Sequence, residues 1–190
     1  MVPSISLRIQ SFALVVAGAL AAGCSESAPP VSPRDIALEH AAHASVGGNP
    51  SAYLKELAAL RQATAPFHEF DAGVQAGWSN PFTPCISNPA GPGAMGFHYV
   101  NMSLVDGQLD VAAPEALIYE PTANGRMRLV AVEYIVPFSV VPATGTPPTL
   151  YGLSFAPSAR FQVWGLHAWV WKHNPSGMHA PFNPDVTCTP

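Results

Sequence analysis

Charge is scarce in this chain of 190 residues, positive charge most of all, with eight Lys and Arg against twelve Asp and Glu. No basic stripe is present, so the phosphate-neutralising surface that nucleic acids require is missing. The three cysteines, Cys24, Cys85 and Cys188, form no CxxC, and no HExxH occurs, so the familiar zinc signatures are absent. Ser154 and Ser176 lack a GxSxG setting, which argues against a nucleophile-elbow hydrolase. In "AGPGAMG" the glycines are interrupted by Pro92 and lead into a strand pattern, so they do not build a phosphate cradle. The apolar stretch from Phe12 to Gly23 is too short to span a bilayer comfortably. No long internal repeat is visible.

What is present first is an address. Arg8 is the only charge before "SFALVVAGALAAGC", and a positive start, an apolar middle and small residues at the end make a secretory signal. "LAAGC" resembles the lipobox of bacterial lipoproteins. That resemblance implies removal of residues 1–23, a lipid on Cys24 and attachment to a membrane through it. An ordinary signal peptide with an unrelated cysteine is the alternative. Ser25 stands where an aspartate signals inner-membrane retention, so the expected place in a double-membraned host is the outer membrane, facing the periplasm. "SESAPPVSPRD" follows, and its prolines and serines make residues 24–34 an extended tether.

Residues 35–190 are long enough for one domain with a proper core. Seven basic against twelve acidic residues from Cys24 onward leave this part at −5. The chain's 21 prolines punctuate apolar runs instead of forming a low-complexity tract, the pattern of a loop-rich folded protein. "PRDIALEHAAHA" reads as a helix that stops at "VGGNP"; His40 and His43 share a face of it, most simply as exposed residues. Ser51 is the expected cap of a second helix, "AYLKELAALRQATA", with Leu54, Leu57 and Ala58 as its apolar stripe and Leu60 at the edge. Pro66 then kinks or restarts the helix.

Past "NPFTPCISNPAGPGA" the pattern changes to strands. "MGFHYVNM", "EALIYEP" and "RMRLVAVEYIVPF" are predicted strands, the last two joined by a tight turn at Asn124-Gly125. "YGLSFAP" reads as a short edge strand and "FQVWGLHAWVWKH" as a long final one. Helices first and strands after give an α+β fold: N-terminal helices packed on one face of a curved antiparallel sheet, in a single domain.

With Cys24 assigned to lipid, Cys85 and Cys188 remain. Outside the inner membrane an isolated pair is most simply a disulfide. Paired soft metal ligands are the weaker alternative, because no histidine pattern surrounds Cys85.

Strand alternation then isolates three ionisable residues. His98 shares a face with Gly96 and Val100, Glu133 with Ala131 and Ile135, and His167 with Gly165 and Trp169. A charge in such apolar company must be paired, hydrogen-bonded or metal-bound. Two imidazoles and a carboxylate on neighbouring strands are the donor set of many metal sites, so a divalent transition metal is the implied cofactor. Glu115 and Glu120 are candidates to add to or replace the carboxylate. The bland reading keeps the histidines on carbonyls or on Tyr99 and Tyr134, and Glu133 on Arg126 or Arg128. His173 matches the parity of His167 if the strand runs that far; His179 follows Pro175 and Gly177, which break the period, and is left out of the site. Trp164, Trp169 and Trp171, with Tyr99, Tyr119 and Tyr134, are core residues first and pocket-lining candidates second.

Taken together, "MGFHYVN", "PEALIYEP", "LVAVEYIVP" and "LHAWVWKHNPSG" resemble a family of uncharacterised bacterial exported proteins, many of them lipoproteins. The likeness runs from Ser51 to Cys188 and implies one exported domain without implying an activity. The HxH of cupins is absent, since Tyr99 follows His98 and Val100 comes next. The functional expectation is a periplasm-facing lipoprotein that binds a divalent metal or a small ligand. A metal-dependent enzyme on the same residues and an assembly lipoprotein without ligand are the other two classes, and no catalytic residue is assigned.

Overall fold

A computed structural model describes residues 49–190. The signal peptide, Cys24, the tether and the helix carrying His40 and His43 lie outside the described residues. Helix α1 spans Pro50–Thr64, and its cap is Asn49, whose side chain accepts a hydrogen bond from Ser51 N. Capping thus begins two residues before the expected Ser51, because Asn-Pro places an acceptor directly before a residue with no N–H to satisfy. Tyr53, Leu57, Leu60 and Thr64 form the buried stripe, while Leu54 is 55% exposed. The expected stripe is therefore rotated: the large ring of Tyr53 takes the inner position that Leu54 was given. Pro66 ends the helix in a 3-10 turn, Ala65–His68, and a short α2 follows at Phe70–Gln75.

Eight strands follow: β1 Asn80–Pro81, β2 Phe97–Val100, β3 Ala116–Pro121, β4 Met127–Pro137, β5 Thr149–Leu150, β6 Leu153–Ser154, β7 Ala156–Ser158 and β8 Val163–Ala168. Six of them form an antiparallel sheet in the order β1-β2-β3-β4-β8-β7, and β5 and β6 make a small ribbon of their own. The β3–β4 turn closes as expected. Thr122 N donates to Arg126 O and Gly125 N to Thr122 O, both at 2.8 Å, with Gly125 at φ +77°.

One irregularity shapes the rest. Ile118 pairs with Ala131 and Tyr119 with Leu129, which leaves Val130 as a bulge without a partner on β3. Its carbonyl accepts instead from Trp171 N and Lys172 N. The final strand accordingly stops at Ala168, short of the expected run to His173, and Trp169 N turns to the Met178 carbonyl.

The sheet has two different faces. Leu117, Tyr119, Tyr134 and Trp164 share one core with Tyr53, Leu57 and Leu60 of α1. Complete burial of Leu57 and Leu60 contributes about 1.5–3 kcal/mol each. The other face carries Ala116, Ile118, Ala131, Ile135 and Trp169. The long 82–95 segment and the C-terminal segment flank this side. Ala94 and Asn183 exchange backbone hydrogen bonds, and a disulfide joins Cys85 to Cys188 across a Cα separation of 5.5 Å. The expected bridge is present. None of the helices among the described residues is long and apolar enough to cross a membrane.

Candidate metal centre

On the face opposite α1 the sheet register does the assembling. Glu133 on β4 stands directly across from His167 on β8, and its other neighbour, on β3, is Ala116. Ala116 puts only a methyl group between them, and His98, whose partner on β3 is Ile118, comes to the same face from β2. The three side chains converge as alternation predicts. His98 Nε2 lies 3.3 Å from Glu133 Oε2 and 3.4 Å from His167 Nε2, and His167 Nδ1 lies 4.0 Å from Glu133 Oε1. One donor atom from each residue lies within 4.8 Å of the others. Donors about 2.1 Å from a tetrahedral ion stand roughly 3.4 Å apart, so this group could hold a metal ion with small side-chain adjustments.

Burial sets the electrostatics. His98 is 4% exposed and His167 6%, while the Glu133 side chain keeps 15% of its surface. Desolvation lowers the His98 pKa to about 4, with the Gly96 backbone pulling the other way. Desolvation also takes His167 down to about 3, helped by His98 and His179. The same burial raises Glu133 to about 8, and the nearby Glu115 charge adds to it. All three groups are pushed to their neutral forms, which is the state of lowest cost for a dry cluster without a cation. A divalent ion inverts that preference for Glu133 and uses the neutral imidazoles as they stand. His98 Nδ1 is buried and completes no well-formed hydrogen bond among the described residues, and the Gly96 backbone is the group outside the cluster that bears on the ring.

The remaining acids are engaged elsewhere. The Val130 bulge puts Arg128 opposite Glu120, on the same face as Glu133. There Glu120 is held by Arg128 and by Lys172, whose Nζ is 2.8 Å from Oε2. Arg126 meets Glu69 in an exposed pair. Neither arginine serves Glu133, so the pairing considered from the sequence does not form. Glu115 is fully buried, and its Oε2 accepts from Ile135 N at 3.0 Å. Burial raises it to about 7, outweighing that hydrogen bond; the charges of Asp106 and Asp110 add to the rise. Neither Glu115 nor Glu120 joins the cluster. Tyr99 and Tyr134 do not hold the histidines either; Tyr134 OH pairs with Tyr151 and the Val111 carbonyl.

His173 is exposed and off the strand. His179, which the broken period had set aside, supports the site. Its Nδ1 donates to the His167 carbonyl at 2.6 Å, and Nε2 accepts from Tyr53 OH at 2.9 Å. It thereby ties α1 to the backbone of a cluster residue. No sequence signal could have revealed this, because the bond depends on where the chain returns after Pro175. His167 also stacks at 9° on Trp169, its neighbour on the same face.

All three cluster residues line a pocket of about 300 Å³. No protein-family model matches the sequence, and no curated protein or solved structure matches it either.

Proposed function

We propose that the protein binds a divalent transition metal through His98, Glu133 and His167. The observation that carries this reading is the convergence of three donors from three different strands, within 4.8 Å, at a largely buried spot. A two-histidine, one-carboxylate set of borderline donors suits Fe²⁺, Mn²⁺ or Zn²⁺ and leaves coordination positions for water or a ligand. The test is metal analysis of protein purified without an affinity tag, followed by titration of stripped protein with Co²⁺ or Zn²⁺. We expect one equivalent bound, and His167→Ala to bind none while keeping its circular-dichroism spectrum. A stripped protein that takes up no metal would leave the three residues as a structural network.

A metal-dependent enzyme is the second reading, favoured by the pocket beside the open positions. We rank it lower because, among the described residues, the pocket wall offers no other carboxylate, histidine or lysine to act as general acid or base. On the sequence side, we propose that the lipobox-like "LAAGC" directs lipid to Cys24, as the resemblance to exported lipoproteins implies. The domain would then sit at the outer membrane, facing the periplasm. Mass spectrometry of membrane-extracted protein should find a diacylglyceryl group on Cys24. An intact Met1 terminus on the mature protein would refute it.

A further inference from the structure

The pocket beside the cluster has a wall of one character. Phe82, Ile86, Met95, Ile135, Phe161 and Val163 supply its large apolar side chains, and among the described residues no arginine, lysine or second acid lines it. The Phe82 and Phe161 rings touch at 5.6 Å, and Val163 shares a strand face with Gly165 and His167. An apolar cavity of about 150 Å³ holds benzene, so one of about twice that volume admits a single ring with a short head group. Thr83 Oγ1 is shielded from solvent, lines the same pocket and has no hydrogen-bond partner among the described residues, so a donor is available to an acceptor on the ligand.

Charge then selects the head group. A divalent ion on two neutral imidazoles and one carboxylate leaves the site with a single net positive charge in a poorly solvated place. A monoanion cancels it; a dianion overshoots, and a cation is repelled. Because the wall carries no cationic side chain, the ion itself must hold the anion, unlike a surface anion site built from lysine and arginine.

We infer that this pocket binds a small apolar monocarboxylate, its ring or branched chain among Phe82, Ile135, Phe161 and Val163 and its head group on the metal. This inference rests on the metal reading above, and it narrows the ligand from any small molecule to one class.

The test uses Co²⁺-loaded protein with benzoate, acetate and benzamide as probes, read by calorimetry and by the Co²⁺ d–d spectrum. Benzoate should bind and shift the spectrum. Acetate, with the head but no ring, should bind about tenfold to a hundredfold more weakly. Benzamide, with the ring but no charge, should be weaker by about tenfold or more. Val163→Phe adds bulk to the pocket and replaces none of the three donors; it should keep Co²⁺ and lose benzoate. If Co²⁺ does not bind, the metal reading falls and this inference with it. If Co²⁺ binds but benzoate does not, or benzoate binds without changing the spectrum, the inference alone is overturned. Equal binding of acetate, equal binding of benzamide, or unchanged benzoate affinity in Val163→Phe overturns it in the same way.

Discussion

Gly165 and Glu133 fit against each other so closely that a Cβ on Gly165 would lie 2.5 Å from Glu133 Oε1. The nearest atom is the far end of a flexible side chain, so the backbone need not move; the carboxylate must.

Gly165→Ala should therefore separate stability from binding. Overpacking of this kind typically costs about 1–3 kcal/mol, and here the cost should fall at the low end of that range. Metal affinity should drop by about tenfold or more, because the displaced oxygen belongs to a proposed ligand. Urea unfolding and Co²⁺ titration of the same preparation test both halves. Unchanged affinity would mean that Glu133 does not ligate the ion.

The metal-free protein should lose stability as pH rises from about 6.5 to 8, with a slope of up to roughly 1.4 kcal/mol per pH unit for each proton involved. Glu133, raised to about 8, and Glu115, raised to about 7, hold protons in the fold that the unfolded chain has already released. Their contribution is complete below the unfolded carboxylate range and disappears as pH climbs through the raised values. The lowered histidines act in the opposite sense, taking stability away as pH falls below about 6.5. Glu133→Gln should flatten the slope above pH 6.5. Excess metal should reverse it in the wild type, since the ion favours the ionised carboxylate.

His179→Ala should cost about 1–2 kcal/mol and weaken metal binding, although His179 is not a ligand. It removes the bond to the His167 carbonyl and leaves Tyr53 OH without the imidazole it meets. His173→Ala, at an exposed position, is the control and should change neither quantity.

Cys188→Ser should lower stability by about 2–5 kcal/mol, as for bridges that close long loops in other proteins. The bridge here closes a separation of 103 residues. Chemical unfolding under non-reducing conditions measures it, and two freely alkylatable thiols in the native wild type would contradict the bond itself.

The candidate site was legible because strand geometry is strict. Alternation alone puts His98, Glu133 and His167 among small and apolar neighbours, and burial of that face then fixes the register that sets Glu133 opposite His167. The sheet and the disulfide were legible for related reasons: β-branched runs between turn residues, and two cysteines left over. What escaped the sequence depends on tertiary choice. Val130 sits in "LVAVEYIV", where every local pattern is satisfied with or without a bulge, so neither the bulge nor the early end of β8 is written there. The helix stripe turned on the relative size of Tyr53 and Leu54, which periodicity cannot weigh. His179 needed the path of a loop.

The bond from Cys85 to Cys188 also has a consequence in time. Ribosomes build chains from the N-terminus, so all three candidate metal ligands exist before Cys188 is made. Ile86 and Met95, on one side of the pocket, come from the segment next to Cys85, while Pro181 comes from the C-terminal end. The Ala94–Asn183 backbone hydrogen bonds can join those walls only once the last residues emerge, and the disulfide adds a covalent tie when the thiols are oxidised. Oxidation therefore adds a covalent link between the segments that carry Ile86, Met95 and Pro181 after the three candidate ligands are in the chain. On the proposed metal reading, protein oxidised without metal should acquire it more slowly than protein given metal first.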